Sequence, residues 1–414
     1  MGEPKPVVGP SSRLESVDLL RGVVMVIMAL DHVRDFMSDQ MHKNPVDLET
    51  TTASIFLTRW ITHYCAPTFI FLAGTSAFLA ESRGKSKAEM GWLLFTRGLW
   101  LAFFEVVINR IMWMFSFDFM HHGAGVFWAI GWAMVVLSVL IYLPTWAVTA
   151  FGIFLIAGHN LLDGLSAQQM HLPGWLWVIL HQPGDEPVVD GITFGTGYCL
   201  IPWIGTMAAG YGFGTILLHE PDVRRKQLLQ LGSLLTLAFI VVRAANVYGD
   251  PSHWSLQRHT GWPFWRAAWP HWRDNLFTFL SFLNCTKYPA SLCYLLMTLG
   301  PSIIFLGLFD KPVGAIGRPL LVFGRVPMFY YLLHIPLIHG TAVALDFLRF
   351  GWSPQTHDGP WAVNKEVMEK LPDYGFSLPV IYLIWLGVVF VLYWPCRWYA
   401  GVKSRSRSVW FSYL

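Results

Sequence analysis

Long apolar segments separated by short polar ones dominate the pattern along this chain. A helix needs about 20 mostly apolar residues to cross a bilayer, and about ten segments qualify on that basis. They lie roughly at 17–38, 56–80, 91–115, 124–142, 144–162, 195–219, 227–246, 287–309, 319–346 and 376–400. The pattern therefore predicts an all-α, polytopic membrane protein whose residues 1–414 form a single integral membrane domain.

Composition supports the membrane prediction and narrows the function classes. The 414 residues are 54% hydrophobic and 13% charged, whereas soluble domains are about 25% charged. The net charge of +3 gives no reason to expect a nucleic-acid partner. The five cysteines have no C-x-x-C spacing, so we predict neither a disulfide framework nor a zinc site. The N-terminal residues lack the apolar core of a secretory signal peptide.

Basic residues are distributed unequally among the loops, which indicates an orientation. Cytoplasmic loops of membrane proteins carry an excess of Lys and Arg. These residues cluster at 81–90, 220–226 and 403–407, whereas 116–124 and 163–194 contain none. We therefore predict an even number of spans with both termini cytoplasmic, in a bacterial inner membrane.

The segment 247–286 interrupts this charge pattern with Arg258, Arg266 and Arg273. Long loops influence orientation only weakly, so the predicted orientation stands. The segment is also rich in Trp, Pro and His, and Trp is common at membrane interfaces. We predict that it forms a structured extracytoplasmic cap.

Polar residues recur near the predicted outer ends of many helices. In MALDHVRDF (28–36), for example, an apolar helix runs directly into a group of ionisable residues. Within each helix these residues are often three or four apart and so share a face. Because charged groups inside a bilayer normally face a cavity or each other, we predict one polar chamber opening to the outer half of the membrane. The set comprises Asp31, His32, Arg34, Asp35, Arg59, His63, Glu105, Asn109, His159, Asp163, Arg243, Asn246, Asn284, Lys287 and His334.

His32 is the first candidate for a general base, because imidazole changes its charge near neutral pH. Helical neighbours point about 100° apart, so Asp31 cannot readily form a dyad with His32. We expect Asp35, or a group on another helix, to orient His32, with Asp31 as a further candidate. His63 is the second candidate base. Individually, each of these residues is also compatible with a structural ion pair or a satisfied core histidine.

Several segments resemble a known family. RLESVDLLRGVVMVIMALDHVRDF, FLTRWITHYCAPTFIFLAGTSAFL and FGRVPMFYYLLHIPLIH resemble bacterial heparan-alpha-glucosaminide N-acetyltransferase-like membrane proteins, and the likeness spans nearly the whole chain. That family is similar to a wider set of transmembrane acyltransferases that share a D-x-x-R-G opening, here Asp18 to Gly22. In those enzymes a histidine eleven residues after the arginine is catalytic, which corresponds to His32. The lysosomal enzyme uses a histidine between its first two helices, where this chain has His42.

The resemblance implies transfer of an acyl group, with acetyl expected, from acyl-CoA to a hydroxyl or amine of an extracytoplasmic glycan or glycolipid. In this role, Arg59, Asn109 or Asn284 would stabilise an oxyanion, while Arg97 and Arg325 would bind the nucleotide phosphates. Acetyl-CoA is then the acyl donor, and no metal is expected. The partners expected are membrane lipid, acyl-CoA and an amino-sugar or glycan acceptor, and a homodimer is compatible with the sequence.

Two other classes compete with this hypothesis. A transporter or flippase for a lipid or sugar would also have intramembrane polar residues and broken helices, although the sequence shows no strong internal repeat. Binding of acetyl-CoA distinguishes the enzyme from the transporter. A purely structural subunit is disfavoured, because ionisable groups inside a membrane are costly.

Overall fold

The structure, a computed structural model, describes residues 14–117, 121–189, 192–257, 270–315, 317–351, 371 and 373–406. Helices dominate this part of the chain. They are α1 (Glu15–Met37), α2 (Ala53–Thr62), α3 (Cys65–Ser82), α4 (Lys87–Phe103), α5 (Arg110–Met114), α6 (Val126–Leu140), α7 (Thr145–Gly158), α8 (Gly174–Leu180), α9 (Leu200–Phe213), α10 (Pro221–Ala245), α11 (Pro270–Leu283), α12 (Leu292–Leu308), α13 (Gly317–Arg325), α14 (Pro327–Phe350) and α15 (Leu378–Arg405). The predicted all-α membrane bundle is confirmed.

Within the described residues, seven helical segments are long and apolar enough to cross a membrane. They are Ala53–Ser82, Lys87–Met114, Thr145–Leu162, Leu200–Leu218, Pro221–Ala245, Pro327–Phe350 and Leu378–Arg405. Two further apolar helices, α6 and α12, have 15 and 17 residues, which corresponds to about 23 and 26 Å against a hydrocarbon core of about 30 Å. The predicted count of ten spans is therefore not established.

The first helix, α1, lies at the centre of the bundle. It packs against α2, α3, α12, α13, α14 and α15, and most of its residues are buried, including Asp18, Asp31 and Arg34. Protein rather than lipid surrounds these charged groups, as is usual for ionisable residues in membrane proteins. The central position of α1 puts its polar C-terminal turn in reach of other helices.

Close contact between α1 and α13 explains the glycine of the D-x-x-R-G sequence. A Cβ on Gly22 would collide with the backbone carbonyl of Leu320, and one on Gly324 would collide with the carbonyl of Asp18. Small residues at such crossings let helix backbones approach each other. The glycine thus fixes the distance between these two helices.

Two predicted spans are interrupted in the structure. The first breaks at His63 and Tyr64 between α2 and α3, and the second breaks at Val326 between α13 and α14. Pro327 begins α14, as expected for a residue that lacks the N–H that a helix start leaves unpaired anyway. The first break lies at His63, a residue of the polar set, and the second lies beside Arg325, a residue predicted to bind phosphate.

A three-stranded sheet lies in the segments predicted as outer loops. β1 (His121–Ala124) pairs in parallel with β3 (Ile192–Thr196), which pairs antiparallel with β2 (Gly184–Val189). These strands are too short and too irregular in sequence for alternation to have predicted them. Part of the predicted cap, 258–269, lies outside the described residues, but its end is helical, as α11.

Candidate active site

His32 and His334 form a direct contact across two helices. His32 lies in the last turns of α1 and His334 in the middle of α14, and Nδ1 of His32 is 2.8 Å from Nε2 of His334. The rings are stacked, with centroids 5.0 Å apart, and the edge of Trp113 packs against His32 at 4.9 Å. We expected either Asp35 or a group on another helix to orient His32, and the structure has the second of these, His334 on α14.

The hydrogen bonds of this pair determine its tautomers. Nδ1 of His334 lies 2.9 Å from the carbonyl oxygen of Tyr331, and a carbonyl only accepts. Neutral His334 therefore donates from Nδ1 and carries its lone pair on Nε2. Nδ1 of His32 must then donate to His334, which leaves the basic lone pair of His32 on Nε2.

A chain of side-chain hydrogen bonds links Tyr331, whose backbone carbonyl binds His334, to Glu105. The Tyr331 hydroxyl donates to Oδ1 of Asn109 at 2.9 Å, and Nδ2 of Asn109 donates to Glu105 at 2.9 Å. Glu105 also accepts the Phe127 backbone N–H at 2.9 Å, at the N-terminus of α6, where the helix dipole stabilises a carboxylate. A π-helical turn, Phe104–Asn109, places both side chains, and such turns are frequent at functional sites.

Charged residues cluster on the other side of His32. Asp31 accepts hydrogen bonds from Arg34 at 2.8 Å and from Arg59, while Asp35 accepts from Arg34 at 2.6 Å. The carboxylate of Asp35 thus binds a guanidinium rather than His32. Lys287, whose Nζ lies 5.1 Å from the centre of the Tyr288 ring, is in electrostatic range of Asp31. With two carboxylates and three cations, this cluster has an excess of one positive charge.

A cavity of about 350 Å³ lies among α1, α3, α4, α6, α13, α14 and the end of α15. Its lining is mostly apolar, but it includes four cations, Arg21, Arg97, Arg325 and Lys403. Tyr331 also lines it, and the Tyr331 ring lies 4.8 Å from that of His334. The cavity thus has four cationic side chains and a wall in contact with the histidine pair.

Three residues predicted to bind substrate form a separate network. Arg243 donates to the carbonyls of Ser252, Ser281, Phe282 and Asn284. Asn246 ends α10 and exchanges two hydrogen bonds with the backbone of Trp254, and Asn284 donates to the Val46 carbonyl. Their contacts anchor loops and do not support the prediction that they bind substrate.

The second candidate base, His63, occupies the break between α2 and α3. It is buried, its ring packs against Tyr294 with centroids 5.5 Å apart, and its Nδ1 has no hydrogen-bond partner in the part of the chain that the structure describes. The structure therefore gives His63 no orienting acceptor of the kind that His32 has in His334. His42 lies in the exposed turns that follow α1.

Comparison with known families identifies the chain. The profile of the heparan-alpha-glucosaminide N-acetyltransferase catalytic domain matches residues 13–248, more than half of the chain. The chain belongs to this family. Its function is accordingly of the membrane acetyltransferase type. No curated protein sequence matches the chain.

Sequence reasoning missed several residues that the structure brings to the site. Tyr331 precedes His334 by three positions and shares its helix face, a signal that the sequence contained. Arg21 belongs to the D-x-x-R-G sequence but was not assigned to a site, and Trp113 has no local signature. Lys403 lies close to the C-terminal end of the chain and reaches the cavity only through the packing of α15.

Proposed function

We propose that this chain transfers an acetyl group from acetyl-CoA to an amine or hydroxyl of a glycan or glycolipid on the extracytoplasmic side of the membrane. The proposal rests on the cavity, which is lined by four cations and by Tyr331. The ring of Tyr331 also packs against the ring of His334. This arrangement combines a site for a phosphate-rich donor with a base.

The cavity lining fits coenzyme A. Arginine guanidinium groups match phosphate oxygens in geometry and charge, and Arg21, Arg97 and Arg325 line the cavity. One nitrogen of Arg21 already donates to the Leu72 carbonyl and the Ser76 hydroxyl, and Arg325 pairs with Glu15 at 3.4 Å, so Arg97 is the first candidate. The remaining lining is largely Ala, Leu, Met and Phe side chains, which suit a thin, mostly apolar arm. Along α1, eleven residues separate Arg21 from His32, or about 16 Å, so the chain offers phosphate contacts well away from the base. The thioester supplies the activated acyl group.

His32 acts on the acceptor in this proposal. Its Nε2 lone pair takes the proton of the attacking amine or hydroxyl, so that the nucleophile forms its bond to the acyl carbon as the bond to sulfur breaks. The proton then passes to the departing thiolate. His334 holds the ring in the required tautomer, in the manner of the third group in other nucleophile–base arrangements.

The charge cluster stabilises the negative charge that develops on the carbonyl oxygen. Arg59 and Lys287 contribute cations near His32, and Asp31 keeps the Arg59 side chain in place. Preorganised charges in a site that excludes water stabilise such an oxyanion strongly. Asn109, also considered for this role, already donates to Glu105, so Arg59 and Lys287 are the better candidates.

Donor binding can be tested by comparing acetyl-CoA with S-acetyl-pantetheine, which has the same thioester arm without the nucleotide phosphates. Loss of one charge-assisted hydrogen bond costs about 1.5–3 kcal/mol. Arg97→Gln should therefore raise KM for acetyl-CoA by about 10- to 150-fold and leave KM for S-acetyl-pantetheine unchanged. Lys85→Gln is the matched control. Lys85 lies in a basic loop on the same predicted side of the membrane as Arg97, but it does not line the cavity.

The acceptor class can be tested in the same preparation. Methyl α-glucosaminide offers an amine and methyl α-glucoside only hydroxyls, so their relative rates separate N- from O-transfer. Equal KM increases for both donors in Arg97→Gln would contradict the phosphate role of Arg97. Absence of acetyl-CoA binding to the wild-type protein would contradict the whole proposal and favour a transporter.

A further inference from the structure

A cluster of potential metal ligands lies apart from the residues assigned to acyl transfer. His159 follows α7, Asp163 closes the 3₁₀ turn after it, and His181 follows α8. One donor atom from each of these three side chains lies within 4.8 Å of the others. The local spacing of His159 and Asp163 was visible in the sequence, but His181 joins them only through the folding of the loop between α7 and α8.

Both histidines of this cluster are buried with unused nitrogens. Each is 2% exposed. Among the described residues, neither ring nitrogen of His159 meets the geometry of a hydrogen bond, and Nδ1 of His181 also lacks a partner. Buried polar atoms are nearly always paired, and an imidazole with both nitrogens unpaired is therefore an unusual feature. The Ala290 backbone is in reach of the His159 ring and engages at most one of its two nitrogens.

The carboxylate of Asp163 is held toward the two rings. Its Oδ1 lies 3.0 Å from Nε2 of His181, and its Oδ2 accepts a hydrogen bond from Nδ2 of Asn160 at 2.8 Å. The Asp163 side chain is 19% exposed, so one side of the cluster is open to solvent. Outer hydrogen bonds of this kind orient the ligands in metal sites.

We propose that His159, Asp163 and His181 bind a Zn²⁺ ion. Zinc accepts imidazole nitrogen and carboxylate oxygen at about 2.0–2.2 Å in tetrahedral geometry, which puts neighbouring ligand atoms about 3.3 Å apart. The pair at 3.0 Å already meets this spacing, and small rotations of His159 and Asp163 bring in the third ligand. Water fills the fourth position from the exposed side of Asp163. The ion binds a nitrogen of His159 that the described protein residues leave without a hydrogen bond.

The donor set selects the class of metal. Ca²⁺ and Mg²⁺ prefer sites made of oxygen ligands, whereas two imidazoles with one carboxylate suit Zn²⁺ and neighbouring transition metals. A hydrogen-bonded His181–Asp163 pair without a metal would leave His159 unsatisfied. Binding would join the end of α7 to the end of α8. It would also steady Asn160, whose Oδ1 accepts the Leu292 backbone N–H at 2.9 Å.

The experiment measures metal binding by the full-length protein in detergent, after treatment with a chelator and removal of the chelator. Co²⁺ is the spectroscopic probe, because a four- or five-coordinate site gives strong visible ligand-field bands. Wild type should bind one equivalent of Co²⁺, and Zn²⁺ should displace it. His159→Gln and His181→Gln should weaken Zn²⁺ binding by at least the 10- to 100-fold that loss of an outer-shell partner causes.

His171→Gln is the matched control, since His171 lies in the same loop but is exposed, and it should bind like wild type. Monodisperse elution on gel filtration identifies variants that remain folded. Absence of stoichiometric Co²⁺ or Zn²⁺ binding by the wild type would overturn the proposal, and so would unchanged binding by a folded His159→Gln variant. Neither result bears on acyl transfer, because metal content is measured without acetyl-CoA.

Discussion

Substitution of His334 tests the tautomer assignment of His32. In His334→Leu, Nδ1 of His32 loses the acceptor that lies 2.8 Å away. When His32 takes the acceptor proton it becomes a cation, and a hydrogen bond from a charged donor contributes about 1.5–3 kcal/mol. The loss corresponds to a fall in kcat of about 10- to 150-fold. KM for acetyl-CoA should change little, because His334 does not line the cavity.

His334→Gln is the conservative variant, since its amide oxygen can lie near the position of Nε2 and accept from His32. We expect it to recover most of the activity that Leu loses. His339→Leu is the matched control: His339 is another buried histidine of α14, and its loss should affect stability rather than kcat. Steady-state acetyl transfer at saturating acetyl-CoA measures all three variants. Equal kcat values for the Leu and Gln variants of His334 would refute the reasoning.

Three further variants test the structural account, each by thermal unfolding in detergent. Gly22→Ala should destabilise the protein by about 1–3 kcal/mol, because the added methyl collides with α13. The control Gly340→Ala has open space around it and should be neutral or stabilising. Equal effects of the two substitutions would contradict the close crossing of α1 and α13. Glu105→Gln should cost about 1 kcal/mol through loss of charge at the α6 N-terminus, and a stabilising effect would contradict that interaction. Arg243→Met should cost about 3–5 kcal/mol, because it leaves the buried carboxylate of Asp250, 3.6 Å away, without its cation. We expect kcat per folded molecule to be unchanged, and a selective loss of kcat would restore a substrate role for Arg243.

The hydrophobic pattern was sufficient to predict the architecture. Each segment predicted to span the membrane contains a helix, because runs of about 20 apolar residues have few alternatives in a bilayer. The pattern was less informative where helices break or shorten. It gave no indication that α2 and α3 separate at His63, or that α6 is only 15 residues long. Local backbone geometry at such points depends on neighbouring helices.

The candidate site was predicted in part. Helical spacing correctly associated Glu105 with Asn109, and His32 and His334, which the structure brings together, were both among the polar residues named from the sequence. Spacing within one helix does not specify contacts between helices, so the sequence could not distinguish Asp35 from His334 as the partner of His32. For the same reason the sequence wrongly suggested that Arg243 faces the common chamber. In the structure its guanidinium donates to backbone carbonyls.

Acetyl transfer by the His32→Ala variant tests the central claim most directly. The assay follows acetyl transfer from acetyl-CoA to methyl α-glucosaminide by purified protein, with His63→Ala measured beside it. General base catalysis by a positioned histidine contributes about 10²–10⁴-fold. We predict a loss of kcat in that range for His32→Ala and less than about tenfold for His63→Ala, whose ring lacks an orienting acceptor. Wild-type turnover in a folded His32→Ala variant would contradict the account.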